Sequence, residues 1–405
     1  MEKKKIIFIC VAVFCFCLLL SFGFSFLFRV KLDNSGFVLK DKLQVEVYSK
    51  VKVKDFITSI DGKVIKEDKI DTTKLTKKEV TFLYLNKNKK KRKGTFQIEV
   101  VDKTEPLIWL SNTYSLPVGS QVNLEEKILC ADNYDQKPTC KIKGQYDLNK
   151  KGTYQLEYEA IDSSGNKEVV PFTLYVYEKN KEKNVSAKSN EKTIEKSSTS
   201  FSSILKDYKT KNTEVGIDVS KWQGEIDFKK VKEAQAEFVM IRLGYQKGVH
   251  GELILDDNFK RNIENALANN LKVGVYFYSY ASSEKEAIQQ ARFVLKNIKK
   301  YDVFLPIAFD WECYSNFNSM ELSLFSLNSI ANRFLDEIKK NNYDTMIYAS
   351  KNYLKAIWMY QDQNVWLAHY TKKTDYDGKY KMWQLCENGK IEGISSFVDI
   401  DILYK

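Results

Sequence analysis

From Thr213 onward, short apolar runs alternate with amphipathic segments, and this alternation restricts the C-terminal half to a sheet whose strands are joined by helices. VGIDVS, FVMIRLGY, KVGVYFYSY, FLPIAFDWE and DTMIYAS read as strands. FKKVKEAQ, DDNFKRNIENALANN, SEKEAIQQARFVLKNIKK and MELSLFSLNSIANRFLDEIKK read as the helices between them, with Ser283 and Glu286 forming a capping box at the start of the third. VWLAHY, KMWQL and FVDIDIL then follow as strands with little helix between. The expected architecture of residues 213–405 is α/β, a parallel sheet curled into a small, incomplete TIM-like (β/α) barrel.

One of these strands ends in a way that stability does not explain. The run VFLPIAFDWE is apolar enough to be buried on both faces, yet it finishes in Asp310 and Glu312. Residues two apart on a strand share a side, so both carboxyl groups face one pocket at the C-terminal end of the strand, where α/β folds keep their sites. Asp218 in GIDVSKWQG and Asp399 in FVDID also sit at strand ends. Barrel closure would make their strands neighbours and bring all four acids to one mouth. Trp222, Tyr245, Tyr278, Trp311, Trp366, Tyr370 and Trp383 lie in or just beyond the same strand ends. Aromatic faces beside carboxylates suit a sugar, and carboxylates without a histidine cluster suit glycoside hydrolysis. His250 and His369 are the whole histidine complement, and no cysteine spacing resembles a zinc site, so neither metal nor cofactor is expected.

The N-terminal half follows a different period. Between Val30 and Tyr177, runs such as LQVEVYSKV, TFQIEVVD, YQLEYEAID and FTLYVY alternate as half-buried strands separated by polar turns. KRKGTFQIEVVD and NKKGTYQLEYEAID echo one another, which suggests two all-β sandwich modules, 30–103 and 104–177. Residues 178–212, rich in Lys, Ser, Asn and Glu, read as a flexible linker. At the start, MEKKK precedes an uncharged run from Ile6 to Phe28 that is long enough for one transmembrane helix. Lysines on that side predict an inside N-terminus, a membrane partner and a bacterial cell-membrane location with the later domains extracytoplasmic. A cleaved signal peptide is the competing reading, but SFGFSFLF offers no small-residue cleavage site.

Charge and cysteines fit an external placement. The net charge of +11 is carried by residues 1–212, with 39 Lys+Arg against 27 Asp+Glu; residues 213–405 hold 25 against 26. KNKKKRK at Lys87–Lys93 lies between two strand-like runs and reads as a solvated hairpin loop, not a nucleic-acid site. Cys130 and Cys140 are placed to close a small loop in an oxidising compartment, and Cys313 with Cys386 is a second possible pair.

Two resemblances add to this reading. CADNYDQKPTCKIKGQYDLNKKGTYQLEYEAIDSSGNKE resembles bacterial Ig-like surface domains, which implies a spacer or adhesive module that could meet a wall or surface protein. GIDVSKWQG, FDWE, WLAHY, MWQL and FVDID resemble the family 25 glycoside hydrolases, lysozymes of the Chalaropsis type. That resemblance implies a muramidase acting on peptidoglycan glycan strands at the β-1,4 bond between N-acetylmuramic acid and N-acetylglucosamine. It implies Glu312 as general acid, Asp310 as its electrostatic partner, and Asp218 and Asp399 as supporting pocket residues. Tyr278 or Phe277 stands where many relatives carry a histidine.

Overall fold

A computed structural model describes residues 31–109, 113–178, 198–313, 317–358 and 363–405, and it divides into two compact units, 1–103 and 104–405. In the second unit the strands β1 (Thr213–Val219), β2 (Phe238–Gln246), β3 (Lys272–Ser279), β4 (Ile307–Trp311), β5 (Thr345–Ser350), β6 (Asn364–Ala368) and β7 (Met382–Lys390) pair in sequence order, all parallel. The last strand, β8 (Val398–Tyr404), runs antiparallel to both β7 and β1 and closes the ring. The connection into β8 is only Ile391–Phe397, too short for the helical crossover that a parallel strand requires.

Helices α1 (Phe228–Glu233), α2 (Phe259–Ala268), α3 (Glu284–Ile298), α4 (Leu324–Lys339) and the short α5 (Lys351–Ala356) surround the strands. Ser283 caps α3 by accepting the Glu286 N–H at 3.2 Å, and Glu286 reaches back to the Ser282 N–H at 2.8 Å. Inside the ring, Phe238, Met240, Ala308, Met346, Trp366, Met382 and Leu403 form a packed plug. At Gly274 an added Cβ would lie 2.4 Å from the Met240 sulfur, so only glycine leaves room for that methionine.

The expected fold class is corrected in three respects. The barrel is closed, because β8 pairs on both sides. Among the described residues no helix is long and apolar enough to cross a membrane, and the segment Ile6–Phe28 lies outside them. The N-terminal modules are not full Ig sandwiches. In the first unit a four-stranded sheet of Gln44–Glu46, Lys91–Val101, Thr76–Asn86 and Gly62–Glu67 accompanies one two-stranded pairing, around Phe37, Phe82, Tyr84 and Phe96. The module at 104–177 likewise has four strands, Thr139–Lys143, Gly152–Ile161, Lys167–Tyr177 and Thr113–Pro117, plus the pair Leu107–Trp109 and Leu129–Ala131. Each two-stranded pairing is only three or four residues per strand, because the intervening chain runs as turns and single 3-10 turns.

The linker reading also changes. Residues 179–197 lie outside the described residues, but Thr199–Ser200 pairs with β7 and the helix Phe201–Tyr208 buries Phe201 and Ile204 in the barrel core. Cys130 and Cys140 form a disulfide, whereas Cys313 and Cys386 are buried and not joined to each other. Replacing both Cys130 and Cys140 by serine is expected to destabilise the 104–177 module by about 2–3 kcal/mol, as the loop they close is short. Chemical denaturation of the full chain in the two forms measures it.

Candidate active site

The barrel's inward-facing positions change character from floor to mouth. On β2 the series is Phe238, Met240, Arg242; on β4 it is Ala308, Asp310 and then Glu312 just past the strand; on β5, Met346 then Tyr348; on β7, Met382 then Gln384. The period of two that packs the floor therefore delivers polar groups to the opening. Asp218, Asp310, Glu312 and Asp399 all line the central cavity, and Asp218 and Asp399 are direct register partners across the β1–β8 seam. Because β8 runs backwards, Asp399 reaches the mouth from the start of its strand.

The acids are held unequally. Asp218 and Asp310 are buried, at 5% and 4% exposure, while Glu312 opens to solvent. Gln384 donates to Asp218 Oδ2 at 2.8 Å, and its own Oε1 accepts from Tyr348 at 2.9 Å and Tyr370 at 3.0 Å. Arg242 is gripped by Asp256 through Nε at 2.8 Å and Nη2 at 2.7 Å, which fixes its positive charge beside the cavity. Below Asp218, the fully buried Asp401 accepts from Trp366 Nε1 at 2.8 Å.

Proton affinities follow from this burial. Desolvation, followed by the charge of Asp401, raises Asp218 well above the usual carboxylate range. Asp310 is raised likewise by desolvation and then by the charge of Glu312. Glu312 is itself raised by desolvation despite its exposed edge, while its hydrogen bond with Asp310 opposes the rise. Crowding between the two acids thus falls mainly on the deeper Asp310, and the pair retains a shared proton above the pH at which ordinary carboxylates lose theirs.

Burial and the charge of Asp218 push Asp399 up to about 9. An acid raised in this way favours folding fully below its unfolded pKa, and that contribution is lost as pH rises through the folded value. The fall in Tm between pH 5 and pH 9 is therefore expected to be shallower in Asp399→Asn than in the native chain, as read by thermal melts across that range.

The aromatic candidates divide. Trp222, Tyr278, Trp366 and Tyr370 line the central cavity, and Tyr245 lines an adjoining one with Trp222 and Tyr278. Trp222, held on a turn capped by Ser220, is 73% exposed and offers a free face. Trp311 and Trp383 are corrected as ligand contacts. Trp311 is fully buried, donating to the Ala281 carbonyl, because it alternates with the two inward acids and so points out to the helices. Trp383 alternates with Gln384 in the same way, bonds the His369 carbonyl at 2.9 Å and packs edge-on with Tyr208. Arg242, Tyr276, Tyr348, Gln384 and Asp401 were not singled out from sequence; Asp401 lies two residues beyond Asp399 on β8, whereas the other four sit on strands that carry none of the four acids.

A second cavity, lined by Glu312, Tyr348, Ser350, Lys351, Asn352, Tyr353, Ala368, His369 and Tyr370, shares Glu312, Tyr348 and Tyr370 with the central one. The Tyr245 cavity in turn shares Trp222, Arg242 and Tyr278 with the central one, so the three adjoin in series as a groove, with Glu312 where two of them meet. Residues 217–394 match the family described as Glycosyl hydrolases family 25. The C-terminal domain belongs to that family. This domain is thus a glycoside hydrolase of the lysozyme class, a muramidase.

The family 25 domain has curated relatives. The autolytic lysozyme of Clostridium acetobutylicum is 27% identical over 189 residues, which cover 46% of this chain and 54% of the relative. Lysozyme M1 of Streptomyces globisporus is 27% identical over 203 residues, covering 45% of this chain and 65% of its own length. Among solved structures, a family 25 glycosyl hydrolase from Bacillus anthracis is 20% identical with a TM-score of 0.42, covering 49% of this chain and 92% of that one.

Proposed function

We propose that this muramidase cleaves peptidoglycan glycan strands laid along the groove, with Glu312 as the proton donor and Asp310 as the charge that steadies the reacting sugar. The observation that carries the assignment is the position of Glu312. It is the most exposed of the four mouth carboxyls, Asp399 being half-buried and Asp218 and Asp310 buried, and it alone of them lines both the central cavity and its neighbour. A general acid must reach the glycosidic oxygen, which the exposed carboxyl of Glu312 can do. Desolvation raises its proton affinity, the direction that favours a loaded donor. Asp310 lies one side-chain step deeper, suited to facing the ring carbon where positive charge develops or the neighbouring acetamido group. Asp218, fixed by Gln384, and Asp399 complete the acidic wall, while Trp222, Tyr278 and Tyr370 offer faces for sugar rings.

The reaction takes place outside the cytoplasm, in remodelling of the cell's own wall. The Cys130–Cys140 disulfide supports an oxidising compartment. Incubation of the full chain with purified peptidoglycan, followed by analysis of new reducing ends, tests the activity: muramic-acid ends are expected. Glucosamine ends would overturn the bond assignment, and retention on the polymer without cleavage would make the protein a wall-binding scaffold. Protection of the Cys130–Cys140 bond from reductants confined to the cytoplasm, compared with labelling from outside intact cells, tests the location.

A further inference from the structure

The module at 104–177 does not hang free of the barrel. Leu129 and Ala131 are buried in the same apolar core as the barrel, and Leu107 and Trp109 pack against it. The α4 N-terminus is tied to the module by backbone bonds from Leu324 N to the Asp132 carbonyl at 2.7 Å and from Phe325 N to the Asn133 carbonyl at 3.3 Å. Lys137 pairs with Glu321 at 3.0 Å. A spacer needs none of this.

Two of these contacts lead to the groove. Trp109 stacks on Tyr353, ring centroids 4.7 Å apart at 24°, and Tyr353 lines the cavity that Glu312 shares. Burial, and after it the charge of Glu312, raises the Tyr353 hydroxyl, which places that ring in the field of the acid. Separately, the Leu129–Ala131 strand packs on the short helix Phe317–Met320, and Phe317 sets its ring edge-on against Trp311 at 6.3 Å. Trp311 is the residue between the two acids.

We infer that the 104–177 module is a working part of the active site, with Trp109 as a positioning residue that holds Tyr353 against the glycan on the Lys351 side of Glu312. Stacked aromatic pairs contribute beyond their buried area, and the Trp109 face restrains the Tyr353 ring where it lines the groove. This inference rests on the muramidase reading. Its predicted signature is kinetic: Trp109→Ala raises KM for soluble glycan fragments about tenfold with a smaller change in kcat, in the manner of lost substrate positioning.

The experiment is a double-mutant cycle in the full chain with Trp109→Ala, Tyr353→Ala and both together, with Trp109→Phe as the conservative variant. The inference expects Trp109→Phe to retain most of the native KM and the double variant to be no worse than Tyr353→Ala alone. Additive losses would overturn it, as would a Trp109→Ala chain that loses Tm but keeps native KM. If Trp109→Ala fails to fold, Trp109→Phe and Trp109→Leu provide the graded comparison, and equal KM in both would also overturn it. A native chain that releases no reducing ends at all defeats the muramidase reading instead, so the two failures are distinct.

Discussion

Glu312→Gln is expected to abolish release of muramic-acid reducing ends, with kcat lower by about 10²–10⁴-fold, the range for loss of a positioned general acid. Glutamine keeps the size and the reach into the groove but has no proton to give. Affinity for glycan fragments should change little, because the contacts offered by Trp222, Tyr278 and Tyr370 are untouched. Initial rates on purified peptidoglycan and fragment binding by calorimetry separate the two. Equal rates in the variant and the native chain would remove Glu312 from the chemistry.

Asp310→Asn is expected to lower kcat by about 10²–10³-fold, typical for removing a preorganised electrostatic group, and to change the shape of the pH profile. In the native chain Asp310 and Glu312 titrate as a coupled pair, both raised by desolvation. Activity needs one proton on the pair: it rises as the first proton leaves and falls as the second leaves, giving a bell. With asparagine at 310 only Glu312 titrates, so the rising limb governed by the pair disappears and the residual activity declines once as pH increases. Measuring kcat/KM from pH 4 to pH 9 for both chains reads the difference directly. An unchanged bell would place its two limbs on other groups.

Much of this site could be read in the chain because a buried strand tolerates carboxylates only at its end. Asp310 and Glu312 stand out against the apolar run before them, and Asp218 and Asp399 follow once closure is assumed. Less legible was the direction of each side chain. Trp311 and Trp383 look like ligand contacts in a list of strand-end aromatics, yet each is one residue out of phase with the inward series and is consumed by the helix layer. Arg242 and Gln384 were passed over for the opposite reason, since neither is unusual in sequence and each acquires its role from a partner distant in the chain, Asp256 or Asp218. The backward run of β8 escaped because its apolar pattern reads the same in either direction. The docking of the 104–177 module was also hidden: Leu129 and Ala131 serve the barrel core from a strand whose local pattern points only to its own module.

The closing strand has a consequence for how the enzyme comes into being. β1 pairs with β8 from Thr213 against Tyr404 to Asp218 against Asp399, so the seam joins the opening and the final segments of the domain. Contacts this distant along the chain form late, after the costly closure of everything between them. Until β8 docks against β1, the acidic wall lacks Asp399 and the shelter of Asp401, and the half-ring has no complete mouth. A barrel built this way assembles its acidic mouth in the same step that closes its ring.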